Sequence, residues 1–170
     1  VPPMEGYTPQ NGQGYNVEEA KKLLAEAGYP NGKGFPTLTI VYNTNEGHKA
    51  IAEYIQQQWK DNLGINVTLK NMEFKTFIDL RSKQHDFTIC RHGWVGDYLD
   101  PNTMLDLFIT GGGNNDGLYS NPEYDRLIEA AKTAKGADRM AILQQAEALY
   151  MGDQGSIPIY HYSNQDLIDT

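Results

Sequence analysis

The sequence predicts an α/β fold, with helices flanking a mainly parallel, mixed sheet. Two observations carry this. Short runs rich in β-branched or aromatic residues (TLTIVY at 37–42, INVTLKN at 65–71, FTIC at 87–90) alternate with stretches of helical period, in the order α β α β α β. Strand-helix-strand repeats of that kind close into parallel pairs through right-handed crossovers. The helical stretches also carry start and stop residues at the correct ends. At 170 residues, with 39% apolar and 21% charged content, the chain has the make-up of one globular domain with a real core.

Each element has its own justification. Residues 1–15, with three prolines and three glycines, read as an irregular leader lying on a surface. Asn16 caps the first helix, with Glu19 at the capping-box position, Ala20, Leu23, Leu24 and Ala27 as the apolar stripe, and Gly28 as the terminating glycine. A turn-rich connection, Tyr29 to Pro36, leads into the strand Thr37 to Tyr42. The second helix is capped by Asn45 and stopped by Gly64. Ile51, Tyr54, Ile55, Gln58, Trp59 and Leu63 recur along it at helical spacing, so most of them belong to the core. His48 falls in its first turn, where a solvated surface residue and a partner for an anion are both open readings.

Ile65 to Asn71 alternates, with Ile65, Val67 and Leu69 on a buried face, and Phe74 to Ser82 follows as a short helix. After the strand ending at Cys90, Asp100 and Pro101 form a helix start, with Met104, Leu105 and Phe108 as its apolar side. Thr110 to Gly117, TGGGNNDG, reads as a flexible polar loop. Its three glycines lack the Gly-Lys-Ser/Thr continuation of a phosphate loop. Pro122 to Thr133 and Ala137 to Met151 read as a helical hairpin split at Gly136 and closed by Gly152. Ser156 to Tyr162, SIPIYHY, reads as a last strand, placed at an edge or a strand start by Pro158.

Composition excludes several classes of function. A net charge of -8 argues against nucleic acid and anionic membranes as partners. One cysteine excludes an internal disulfide and any multi-cysteine zinc site. No stretch approaches the apolar length of a membrane span, and no signal peptide is present. The sequence opens on Val1-Pro2-Pro3 without a methionine and reads as excised from something longer, so missing targeting signals say nothing about location.

The stretch with most chemistry is Asp86 to Pro101, DFTICRHGWVGDYLDP. It sets Arg91, Gly93, Trp94, Asp97 and Tyr98 on the loop leaving a strand's carboxyl end, where open α/β sheets bind ligands. A guanidinium suits a carboxylate, a carboxylate suits an ammonium, and the two aromatics could supply flat apolar walls. The same loop reads equally well as structure, with Arg91 and Asp97 pairing to each other.

Catalytic readings find little support. The four histidines, His48, His85, His92 and His161, lie on separate elements without metal-ligand spacing, so no metal or cofactor is expected. Cys90 and His92 could share a face, which raises a thiol enzyme as an alternative. A cysteine in an apolar run is more often a small buried hydrophobe. Asp97, Asp100 and Asp106 fail the spacing of a calcium loop, and Asp100 already has a capping role. The chemistry points to binding rather than catalysis.

The run RHGWVGDYLDP, followed by the Gly/Asn-rich loop and YSNPEYDRLI, resembles the peptide-binding proteins of bacterial ABC importers. So do VYNTNEGHKAIAEYIQQQWKDNLGINVTLKNMEFKTF and the closing IPIYHYSN. The resemblance covers nearly all of the chain in order. It implies one lobe of the type II periplasmic-binding-protein kind, residues 1–170, the carboxyl-proximal half of a two-lobed receptor whose first lobe is missing. It also implies an extracytoplasmic location, periplasmic or lipid-anchored. The partners implied are a peptide ligand, the missing lobe and the membrane subunits of an ABC transporter, with self-association of the isolated lobe as a by-product of its uncovered surface.

For the site, the resemblance implies that Asp97 pairs with the α-ammonium of a peptide and Arg91 with the carboxylate of a short one. His48 and Arg81 serve the carboxylate of other lengths, although the spacing from Arg81 to Arg91 differs by one residue from the family's. Phe74 stands where a tryptophan lines a side-chain pocket, Trp94 and Tyr98 look like pocket walls, and Gly93 and Cys90 complete the implied set. A receptor for another solute, such as a metal chelate, a sugar or haem, is the alternative within the same fold. Asp97 is the residue that favours a ligand with a free amine.

Overall fold

A computed structural model describes residues 1–10, 12 and 14–163. They form two compact units: Gly14–Trp94, and residues 1–10 and 12 with residues 95–163.

The Gly14–Trp94 unit holds the sheet. Its strands are β1 (Leu38–Asn43), β2 (Val67–Met72) and β3 (Ile89–Cys90), all parallel, in the order β2-β1-β3. Register runs from Leu38 opposite Val67 to Asn43 opposite Met72, and Ile40 and Val41 face Ile89 and Cys90. Successive side chains along β1 point to opposite faces. Ile40 and Tyr42 pack with Leu24, Ala52, Ile65 and Val67 beneath α1 (Val17–Glu26) and α2 (Glu46–Leu63), whereas Val41 packs with Phe77 and Leu80. Phe77 comes from α3 (Phe74–Asp79) and is fully buried, a contribution of about 1.5–3 kcal/mol from removing its ring from water.

The caps are those expected. Asn16 Oδ1 accepts from the Glu19 amide and Asn45 Oδ1 from the His48 amide, and Gly64 ends α2 in the left-handed region. Two readings in this unit change. The helix expected to reach Ser82 becomes a π turn over Leu80–Gln84, closed by His85 at φ 52. Tyr54, at helical spacing with core residues, is 66% exposed, because its position turns away from the sheet.

The other unit is built on the hairpin α5 (Pro122–Thr133) and α6 (Gly136–Gly152), with α4 (Asn102–Leu105) packed against it. Tyr124, Leu127, Ile128 and Ala131 meet Leu143, Ala146 and Tyr150, and Leu105 joins them. The leader is not confined to a surface as expected. Tyr7 is buried in this core, and its hydroxyl donates to Glu147. The Gly-rich loop is also better held than its composition suggests, since Asn115 and Asp116 are buried.

Ser156 to Tyr162 forms no strand. Among the described residues its backbone is irregular, and Ile157, Ile159, Tyr160 and Tyr162 are all at least half exposed, so the apolar positions that favour a strand bury no face here. The final residues of the resembling run, from Asn164 on, lie outside the described residues. Among the described residues no helix is long and apolar enough to cross a membrane.

Candidate functional site

In a parallel sheet every strand points the same way, so the loops after β1, β2 and β3 emerge at one edge. Those loops carry most of the candidate residues in the Gly14–Trp94 unit. His48 lies in the first turn of α2 after β1, Phe74 opens α3 after β2, and Arg91, Gly93 and Trp94 follow β3. The fold thus gathers at one sheet edge residues that are up to 46 positions apart (94 − 48) in the chain.

Arg91 is half-buried, and its guanidinium lies against Gly93. A Cβ on Gly93 would sit 2.8 Å from Nη2 and 3.2 Å from Cζ, so only glycine leaves that space to the cation. The Arg91 charge also reaches His48. Burial, and then repulsion from Arg91, hold the His48 pKa below its ordinary value, against a favourable interaction with the Asn43 backbone. His48 Nδ1 and Asn43 Oδ1 are shielded from solvent and have no hydrogen-bond partner among the described residues. The indole Nε1–H of Trp94 is in the same condition. Buried polar atoms in native proteins are nearly always satisfied, so these shielded atoms, with His48 in reach of the Arg91 charge, are candidate contacts for polar ligand groups.

Sequence reasoning did not single out Asn43. Its signal is its place as the last residue of a buried strand, directly before the turn that starts α2.

Two other candidates sit off this cluster within the unit. Arg81 lies on the π turn, half-buried, with its guanidinium carbon 5.5 Å from the centroid of the Phe77 ring. Cys90 packs beside Val41, Phe77 and Leu80, and its thiol points toward the Arg91 carbonyl oxygen at 3.6 Å. That is the environment of a small core residue.

Asp97 and Tyr98 belong to the other unit. The Asp97 side chain is exposed, and its backbone amide donates to Thr103 Oγ1 at 3.0 Å. Tyr98 is 49% exposed and its hydroxyl accepts from Asn102 Nδ2. Asp106 responds to the same neighbourhood. Burial and then the Asp97 charge push its carboxyl up, with Lys132 opposing. Among the described residues no group of three or more histidine, cysteine, aspartate or glutamate side chains is placed to hold a metal ion.

Comparison with known proteins gives a consistent pattern. Residues 1–116 match the model of bacterial extracellular solute-binding proteins, family 5 Middle. The chain is 40% identical over 152 residues to the periplasmic oligopeptide-binding protein OppA of Salmonella typhimurium, covering 89% of this chain and 28% of that one. It is 40% identical over 151 residues to the periplasmic murein peptide-binding protein MppA of Escherichia coli, with 88% and 28% covered. Among solved structures, a periplasmic oligopeptide-binding protein of Borrelia burgdorferi superposes with a TM-score of 0.82 at 43% identity, over 89% of this chain and 31% of that one. The chain spans between a quarter and a third of the length of these relatives.

Proposed function

The chain belongs to the family 5 bacterial extracellular solute-binding proteins, and we propose that it is the carboxyl-proximal lobe of a two-lobed receptor. The receptor captures oligopeptides outside the cytoplasm, free in a periplasm or lipid-anchored, and delivers them to the membrane subunits of an ABC importer. Its role is binding, without a catalytic step.

The observation that carries this reading is the sheet edge where His48 lies within reach of the Arg91 charge and, like Asn43 and Trp94, holds a shielded polar atom with no hydrogen-bond partner among the described residues. A carboxylate there gains charge-assisted bonds from a guanidinium and the favourable dipole at the start of an 18-residue helix. Asp97 supplies the complementary anion for an α-ammonium. Fixing both ends of an extended peptide sets its register, and water-filled pockets tolerate varied side chains between them. Phe74 and Trp94 serve as pocket walls on the Gly14–Trp94 unit, and Tyr98 on the other. Arg81 serves a carboxylate at another distance, and Gly93 and Cys90 shape the wall.

One lobe offers only half of these contacts. The 170-residue chain therefore folds but binds peptide weakly or undetectably, and its exposed Val95, Tyr98 and Leu99 favour self-association.

The test is calorimetric titration of a mixed tripeptide pool into the full-length protein and its Asp97→Ala variant. Binding that falls steeply in the variant supports the peptide reading. Equal binding by both sinks it, and a solute without a free amine then takes its place.

A further inference from the structure

We infer that Arg139, acting through Asp100, is the positioning residue of the Asp97 loop and so governs how tightly a cationic amine is held there. This rests on the reading that Asp97 receives the ammonium.

The loop from Val95 to Leu99 has little packing of its own. Val95 is 82% and Leu99 91% exposed, so apolar burial does not hold Asp97 in place. What holds it is polar and comes from both sides. Before Asp97, Gly96 lies so close to α4 that a Cβ there would sit 2.9 Å from Thr103 Cγ2, and Thr103, itself buried, accepts the Asp97 amide through Oγ1. After Asp97, the chain is pinned at Asp100. Arg139 grips that carboxylate with both ends of its fork, Nη1 to Oδ2 at 2.5 Å and Nη2 to Oδ1 at 2.9 Å. Its Nε donates to the Ala131 carbonyl at 3.0 Å, which locks the guanidinium to the hairpin before it reaches the loop.

Asp100 is committed in turn. Its Oδ1 also accepts the Asn102 amide at 2.8 Å, and Pro101 beside it is fully buried. Burial alone would raise the Asp100 carboxyl. The bonds from Arg139 and Asn102 and the Arg139 charge outweigh it, so the carboxyl stays below its usual range. Ion pairs at the surface hold little, but this one is three-quarters shielded or more on each side and bidentate. It transmits the rigidity of α5 and α6 to a loop only three residues from Asp97 (100 − 97). An ammonium bound through one carboxylate depends on where that carboxylate is held, and a displacement of about 1 Å is enough to weaken the contact strongly.

The test measures amine preference in the full-length protein, as the ratio of affinities for trialanine and N-acetyl-trialanine. Arg139→Gln should lower this ratio about tenfold, within the loss for a misaligned charge-assisted bond. Arg139→Lys, which keeps the charge but not the fork, should fall between. In an Asp97→Asn background, Arg139→Gln should change the ratio no further. If Arg139→Gln weakens both peptides equally, or Arg139→Lys keeps the full ratio, Arg139 is merely structural and the inference fails. If Asp97→Asn abolishes the preference but Arg139→Gln leaves it intact, the inference fails while the Asp97 reading survives. If Asp97→Asn itself keeps the preference, both fall together.

Discussion

The Tyr7 hydroxyl donates to Oε2 of Glu147 at 2.8 Å, joining positions 140 residues apart inside one buried core. The same oxygen accepts the Gln10 amide at 2.7 Å. A buried carboxylate is tolerable only while such donors remain. Burial, and then the bond to Glu147 and its charge, push the Tyr7 phenol far above its ordinary range, so it stays protonated and donating at any pH the protein meets. Tyr7→Phe removes one charge-assisted bond without emptying the site. It should cost about 1.5–3 kcal/mol, read as a lowered denaturation midpoint. An unchanged midpoint would show that the leader is not fastened here.

Asn115 gives a second stability prediction. Its Nδ2 donates to the carbonyls of Ile109 and Tyr119, and its Oδ1 accepts the Tyr119 amide. Asn115→Ala strips the Tyr119 amide and carbonyl of these bonds, while the Ile109 carbonyl keeps the Gly112 amide, and should cost about 1–3 kcal/mol. Asn115→Asp should be worse at neutral pH, because a carboxylate then faces two carbonyls. It should recover on acidification, once the acid is protonated and can donate again. An aspartate variant as stable as wild type at pH 7 would contradict this.

These two residues also show where sequence reading stops. Asn16, Asn45 and Gly64 are legible because capping is a local bargain among residues a few positions apart, and β1 and β2 are legible because period and burial agree. Tyr7 and Asn115 are not, since their partners lie at Glu147 or in backbone groups that only the folded loop brings close. A leader of prolines and glycines and a loop of glycines and asparagines look alike whether pinned or free. The opposite error occurs at Ser156 to Tyr162, where strand-like composition meets an exposed, irregular backbone. At the sheet edge, the place of Arg91, Gly93 and Trp94 directly after β3 is legible from the apolar run that precedes them. The grouping of Asn43, His48 and Arg91 was not, because it depends on the parallel order of β1 and β3.

Gly93→Ala separates space from strain. Its backbone lies outside the left-handed region, so a methyl there costs little in stability, within about 0.5 kcal/mol. The methyl does require the Arg91 guanidinium to move from its 2.8 Å approach. In the full-length protein, affinity for a peptide with a free carboxylate should drop about tenfold, while its amidated counterpart should change little. Equal losses for both peptides would show that Arg91 does not meet the carboxylate from this position.

His48 gives the pH dependence. Its folded pKa lies below the ordinary value of 6.5, chiefly through burial and secondarily through Arg91. Between those two values the unfolded chain binds more protons than the folded one, so stability rises with pH and levels off above 6.5. His48→Gln should flatten that rise. An NMR titration should place the imidazole below 6.5, and Arg91→Gln should move it upward without restoring the ordinary value, since burial remains. A carboxylate bound between the two residues would act more strongly. It would offset the Arg91 charge and favour the imidazolium, so binding would take up a proton and tighten as pH falls toward the folded pKa. A peptide affinity that weakens over that range would remove His48 from the carboxylate site and leave Arg91 to hold it alone.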